Sequence, residues 1–378
     1  MGGMGGLVLL GERGVWWNRF MGDRSLLMLG IAGPELTVEE ARLFRKLQPV
    51  GYILFTRNIE SAEQVRRLTD ELKELSDGFE PIIAMDQEGG RVTRTKEIGP
   101  ILPSAAALAE RGNSQDIAMA GALTGRMLSL LGVNMNFGPV LDLDHYPEAM
   151  NALRGRCWGG ESQRVIDGAG TWSRWMRRQG IANCGKHFPA CGRSLVDPHH
   201  DLPVCDASWD ELMADDIIPY TALMPELDAV MLAHVEFPRV DGRYPASLSP
   251  VMVQRHLRDQ LGFDRHLVMT DDLDMGAIQN RYGRGEDVKL AIEAGNDFAM
   301  ICHQVESAEG AARAIEQVSL VRRDEALARL ERFEKKVLKP SPRWSVSEWE
   351  KVCREIAELT GKYGVGGDGQ VLSPVERY

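Results

Sequence analysis

No apolar run in this chain approaches the roughly 18–20 residues that a helix needs to cross a bilayer. Basic charge is not in excess either: 44 Lys and Arg stand against 55 Asp and Glu, a net −11 at neutral pH. That balance argues against a nucleic-acid or anionic-membrane surface, both of which need a basic face. Cysteine is scarce, six in 378 residues at irregular positions 157, 184, 191, 205, 302 and 353, and the spacing reads as reduced thiols rather than a disulfide framework. The opening stretch, MGGMGGLVLLGERGVWWNRF, has no basic start. Its apolar part, Leu7 to Leu10, is shorter than the roughly 7–15 residues of a secretory h-region. A cytoplasmic location is therefore the expectation. Internal repeats, low-complexity tracts and coiled-coil heptads are also missing.

What is present is ordinary globular composition, 44% hydrophobic and 26% charged. Short apolar runs alternate with amphipathic ones. Expected strands are 26–31, 50–55, 81–86, 133–140, 181–188, 229–234, 266–271 and 297–302. Between them, VEEARLFRKL, SAEQVRRLTDELKEL, SQRVIDGAGTWSRWMRRQG and GEDVKLAIEAG repeat apolar residues at three- and four-residue intervals, as helices do. Strands apolar on both faces and alternating with helices imply a parallel sheet. Eight such units in roughly 300 residues fit an α/β fold of the (β/α)8, TIM-barrel type better than an open sheet. Asp86, Lys186, His187, His234 and Asp271 all end their runs, where such barrels build active sites. The expected layout is an N-terminal extension over 1–24, the barrel over 25–340, and a C-terminal extension over 341–378. That extension should contain a helix capped by Ser345 or Ser347, then a flexible GKYGVGGDGQ.

Three clusters could carry chemistry. MDQEGGRVTR, 85–94, places acids, glycines and arginines at a strand end, either to present a carboxylate or as a turn held by Glu88–Arg91 or Asp86–Arg94 pairs. VMTDDLDMGAI, 268–278, ends a strand with Asp271 and Asp272. By strand alternation one of them faces the barrel mouth, or else Asp272 or Asp274 caps the next helix. The third, KHFPACGRSLVDPHHDLP over 186–203, is open to three readings. It could be a zinc set of Cys184, His187, Cys191 and His199, a solvated loop, or a proton-transfer site. The last rests on Asp197-Pro198-His199: proline favours extended backbone before it, so residues 197 and 199 would share a side and the carboxylate would hold the imidazole.

Taken together, ILFTRNIES (53–61), MDQEGGRVTR, NFGPVLDLD (136–144), GRCWGGES (155–162), KHFP with VDPHH, MLAHVEFP with PASLSP, TDDLDMGAI and AGNDFAMIC (294–302) run in one order from about residue 25 to 340. This set resembles glycoside hydrolase family 3, in particular its single-domain bacterial β-N-acetylglucosaminidases. The resemblance implies a retaining, exo-acting hydrolysis of terminal β-linked N-acetylglucosamine, as in cell-wall recycling fragments, with no cofactor and no metal. It implies Asp271 as nucleophile, His199 as acid/base with Asp197 as its partner, and Asp86, Arg94, Arg156, Lys186 and His187 as holders of the sugar. The expected partner is a small carbohydrate, with a monomer favoured. Retaining hydrolysis does need an attacking carboxylate and a proton donor, and a histidine titrates close enough to neutrality to donate. The chain departs from the family's usual Gly-His-Gly-Asp-Thr by carrying Ala190, Cys191, Arg193 and Ser194, and His200 follows the proposed acid/base.

Two other functions share these residues. A phosphorylase would use phosphate in place of water, since a histidine does not repel it. A silent sugar-binding barrel would have lost Asp271, Asp197 or His199, and all three are present.

Overall fold

All eight apolar runs become strands and close into one parallel barrel in chain order. They are β1 (Ser25–Gly30), β2 (Pro49–Leu54), β3 (Ile82–Met85), β4 (Met135–Asn136), β5 (Ala182–Phe188), β6 (Ala229–Leu232), β7 (Leu267–Asp272) and β8 (Phe298–Ile301), with β8 pairing back onto β1. This computed structural model describes residues 24–149 and 151–364. The strands are buried almost throughout, which is why they read as continuous apolar runs rather than alternating ones. The fourth is far shorter than its 133–140 run. Pro139 has no N–H for the ladder, and Asn134 and Asn136 accept the Ile83 and Gln87 backbone N–H groups through their side chains at 2.8 and 2.9 Å. The chain rejoins the sheet as a single bridge from Val140 to Lys186.

The amphipathic runs form the outer helices. Helix α1 (Val38–Leu47) starts in a capping box of Thr37 and Glu40, and α2 (Ala62–Glu74) in one of Ser61 and Gln64. Helices α3 (Ser114–Leu130) and α4 (Ser162–Arg177) pack backbone to backbone. A Cβ on Gly121 would lie 2.0 Å from the Trp172 carbonyl oxygen, so any side chain there must separate the pair.

Ser345, not Ser347, caps the C-terminal helix α5 (Val346–Tyr363), which reaches into the stretch expected to be flexible and includes Gly361, Lys362 and Tyr363. Its Trp349, Val352, Ile356 and Leu359 are buried. Ion pairs of Glu355 with Arg126 and of Lys362 with Asp116, at 2.5 and 3.0 Å, and a Tyr363–Asp116 hydrogen bond hold it on α3. Truncating Ile356 to alanine should cost about 2–5 kcal/mol, the usual range for such a core position. Residues 1–23 and 365–378, including most of the expected N-terminal extension and the rest of the glycine-rich tail, lie outside the described residues.

Among the described residues no helix is long and apolar enough to cross a membrane. All six cysteines are free thiols, and burial pushes those of Cys157, Cys184, Cys191 and Cys302 upward, away from reactive thiolate.

Candidate active site

The C-terminal strand ends surround a cavity of about 320 Å³. Asp86, Arg94, Arg156, Lys186, His187, His199 and Asp271 all line it, and Asp197 stands directly behind His199. Phe55, Phe137, Met231 and Met300 supply apolar surface between them.

One wall is an ionic lattice. Lys186 Nζ reaches Asp86 Oδ1 at 2.8 Å and Glu88 Oε1 at 2.6 Å, and Arg94 holds the other Asp86 oxygen at 3.2 Å. Arg156 grips Glu88 with both ends of its guanidinium, each at 2.8 Å. The Asp86–Arg94 pair expected from the sequence is present. The Glu88–Arg91 pair is not: Arg91 instead donates to the Asn151 carbonyl, because Arg156 and Lys186 arrive from other loops and take both Glu88 oxygens. Burial, the largest influence on Asp86 and Glu88, pushes their carboxyls up, but Lys186 and the arginines outweigh it and hold both below the usual range. Both acids are thus ionised acceptors, and two anions face three cations, which leaves the lattice one positive charge in excess.

Asp142 is the hub that sequence reasoning left unnamed. Its Oδ2 accepts the His187 backbone N–H at 3.0 Å and the His187 Nδ1 at 2.7 Å, while Oδ1 accepts from the Cys191 and Gly192 backbone at 2.6 and 3.2 Å. It therefore fixes the imidazole of His187 and the entrance of the following loop at once. The remaining nitrogen of His187, Nε2, faces Arg156 at 3.4 Å.

Strand alternation allowed one of Asp271 and Asp272 to face the mouth, yet both line the cavity. The reason is a register shift against β8, where Met269 pairs with Phe298 but Asp272 with Met300, so one extra residue of β7 bulges. A similar irregularity in β5, between Gly185 and Phe188, lets the consecutive Lys186 and His187 both reach the cavity. Neither Asp272 nor Asp274 caps the short helix Gly276–Gln279, whose cap is Met275 without a side-chain bond. Asp272 instead accepts from the Asp274 and Cys302 backbone at 3.0 and 3.2 Å. Burial first, and Asp274 second, push its carboxyl up to about 8, which favours the neutral acid beside Asp271. Behind it, the buried His234 bonds the Asp272 carbonyl through Nε2 at 2.9 Å and Ser247 through Nδ1 at 2.7 Å.

In the loop, His199 Nδ1 lies 2.6 Å from Asp197 Oδ1. The pair was expected from an extended backbone, but the chain makes a turn. Asp197 Oδ1 accepts the His199 N–H at 3.0 Å and the Asp197 carbonyl accepts the His200 N–H at 3.0 Å, with Pro198 at the second turn position. The two His199 bonds, outweighing burial as the leading influence, hold Asp197 at about 2. The candidate zinc set is not assembled. His187 and His199 each bind a carboxylate, and among the described residues the single gathering of three metal-type ligand atoms is His145, Asp215 and Asp216, elsewhere.

Arg57 and His303 also went unnoticed as site residues. Arg57 is anchored on the Ile31 and Cys302 carbonyls and points Nη1 at His303 Nδ1, 3.1 Å away. A guanidinium only donates, so Nδ1 accepts and the proton sits on Nε2, 3.5 Å from Asp272 Oδ2. Burial and then Arg57 lower His303 to about 4 and keep it neutral. The one available signal was its place directly after the last strand, in AMICHQ.

Comparison with known proteins identifies the family of the chain. The family model described as the glycosyl hydrolase family 3 N terminal domain matches residues 25–337. A beta-hexosaminidase of Pseudomonas aeruginosa is 35% identical over 295 residues, 78% of this chain and 87% of that protein. One of Methylococcus capsulatus is 33% identical over 325 residues, covering 84% of this chain and 96% of its own. Among solved structures, NagZ from Neisseria gonorrhoeae in complex with N-trifluoroacetyl-D-glucosamine superposes with a TM-score of 0.76 at 30% identity, covering 89% of this chain and 98% of that one. The chain belongs to glycosyl hydrolase family 3.

Proposed function

We propose that the protein is a retaining, exo-acting β-N-acetylglucosaminidase that removes terminal β-linked N-acetylglucosamine, including from cell-wall recycling fragments. The observation that carries this reading is that Asp271 and the His199–Asp197 pair open onto one cavity that is also lined by a lattice of two anions and three cations, nearly neutral and suited to a neutral sugar. Relatives named beta-hexosaminidase support the choice of sugar.

In this reaction an Asp271 oxygen attacks the anomeric carbon as the bond to the leaving oxygen breaks. His199, held by Asp197 through Nδ1, gives its Nε2 proton to that oxygen. Water then attacks the glycosyl-enzyme, returns a proton to His199 Nε2 and releases Asp271. Asp197 stabilises the imidazolium, and Asp272, favoured as the neutral acid, adds no second negative charge beside the nucleophile. Asp86, Glu88, Arg94, Arg156, Lys186 and His187 read the hydroxyls by hydrogen bonds from fixed positions. Residues 25–340 form the catalytic unit, braced by α5.

Release of nitrophenol from 4-nitrophenyl N-acetyl-β-glucosaminide tests the activity, with the β-anomer as the first-formed sugar by proton NMR. An α-anomer first would contradict retention. A sugar 1-phosphate formed when phosphate is added would make the enzyme a phosphorylase, and no release at all would leave a sugar-binding barrel.

A further inference from the structure

The loop that carries the acid/base pair is tied down at both ends by backbone bonds. At its entrance Asp142 takes the Cys191 and Gly192 N–H groups, and at its exit the Gly276 and Ala277 N–H groups bond the His199 and Pro198 carbonyls at 3.1 Å. Arg193 and Ser194, two of the residues where the chain departs from its family's usual sequence, lie between these ends. Leu195 and Val196 there are largely exposed, and the Ser194 hydroxyl bonds within the loop, to Val196.

Arg193 is different. Its Nε lies 2.5 Å from Asp216 Oδ2 and its Nη2 3.7 Å from Asp215. Asp216 is only 2% exposed, and its other oxygen meets His145 Nε2 at 2.8 Å. Asp215 in turn bonds the Ser162 hydroxyl at the start of α4. An exposed ion pair would contribute little. A buried carboxylate is costly to leave without its cation, so the Asp216 site draws Arg193, and the loop with it, to one place.

We propose that Arg193 is a positioning residue: by pairing with Asp216 it fixes the first part of the loop, just past its entrance, on the barrel's outer layer, so that the Asp197–His199 pair stands in register with the leaving oxygen before substrate arrives. This rests on the proposed role of His199. Arg193 itself touches no reacting atom.

The test uses the full chain and two readouts. Arg193→Gln keeps length and loses charge, and Arg193→Lys restores the charge. Backbone amide exchange over residues 191–201 should quicken in Arg193→Gln and return towards the wild-type rate in Arg193→Lys. Unchanged exchange overturns the tether. In parallel, kcat/KM for an alkyl N-acetyl-β-glucosaminide should fall about tenfold or more in Arg193→Gln, while an activated dinitrophenyl substrate changes little, since a good leaving group needs less protonation. Quickened exchange with equal losses on both substrates overturns the positioning role. Should His199→Ala itself show no dependence on leaving group, it is the acid/base assignment that fails, while the exchange result still judges the tether.

Discussion

The backbone N–H of Gly276, the first residue of the short helix that follows the Asp271 strand, donates to the carbonyl of His199 at 3.1 Å. The segment that presents Asp271, the proposed nucleophile, thus also seats the loop of the proposed acid/base His199. A Cβ on Gly276 would lie 2.7 Å from the His200 oxygen and 2.8 Å from the His199 oxygen, both rigid backbone atoms. Gly276→Ala must therefore displace the loop. Its kcat/KM on a poor leaving group should drop about 10- to 100-fold, the scale of a misplaced general acid, with thermal unfolding shifted by only a few degrees. Undiminished activity would show that the loop needs no such seat.

Asp271→Asn should lower turnover about 10³-fold or more while still binding the product sugar, because a carboxamide cannot form the glycosyl ester. Asp272→Asn replaces a carboxyl whose upward shift favours the neutral acid by a neutral isostere whose oxygen can still accept from Asp274 and Cys302, so most activity should survive. Steady-state kinetics of the two variants decides the assignment, and the reverse ranking would exchange their roles.

His199→Ala should harm alkyl glycosides far more than dinitrophenyl ones, and Asp197→Ala should act in the same direction because it frees the imidazole. His200, which lies outside the cavity lining, is the control, and its alanine variant should keep the wild-type ratio between substrates. A plot of rate against leaving-group pKa for the three variants separates them. A steep slope for His200→Ala alone would move the acid/base by one residue.

The barrel was legible because apolar parallel strands need no distant information: each run is buried by its own composition. The pairing of Asp197 with His199 was legible for the same reason, although Asp-Pro makes a turn there rather than extended chain. What stayed hidden depends on partners far away in sequence. Asp142 serves His187 from another strand end, Glu88 is claimed by Arg156 rather than its neighbour Arg91, and Arg57 orients His303 across the barrel's closing seam. The bulge that brings Asp271 and Asp272 to the same cavity is a matter of register between β7 and β8, which neither strand's own pattern contains.

Asp272 also gives the fold a pH dependence. Its carboxyl is raised to about 8 in the folded state from the ordinary 3.8, so the folded state binds the proton more tightly than the unfolded one. That contribution is complete below about pH 4 and is lost as pH rises towards 8. Asp272→Asn does not titrate, so melting temperatures should show the variant gaining on the wild type by several degrees between pH 5 and pH 8, since each pH unit crossed below about 8 costs the wild type about 1.4 kcal/mol. A constant difference across that range would mean Asp272 is ionised throughout.

The most direct measurement is mass spectrometry of His199→Ala quenched in acid after mixing with a dinitrophenyl N-acetyl-β-glucosaminide. The activated substrate needs no acid to form the glycosyl-enzyme, but its hydrolysis needs the missing base, so the intermediate should accumulate. The expected result is one N-acetylglucosaminyl unit on the peptide that contains Asp271. An adduct on any other residue, or free sugar released in a burst-free reaction with no adduct at all, would contradict Asp271 as the nucleophile of a retaining enzyme.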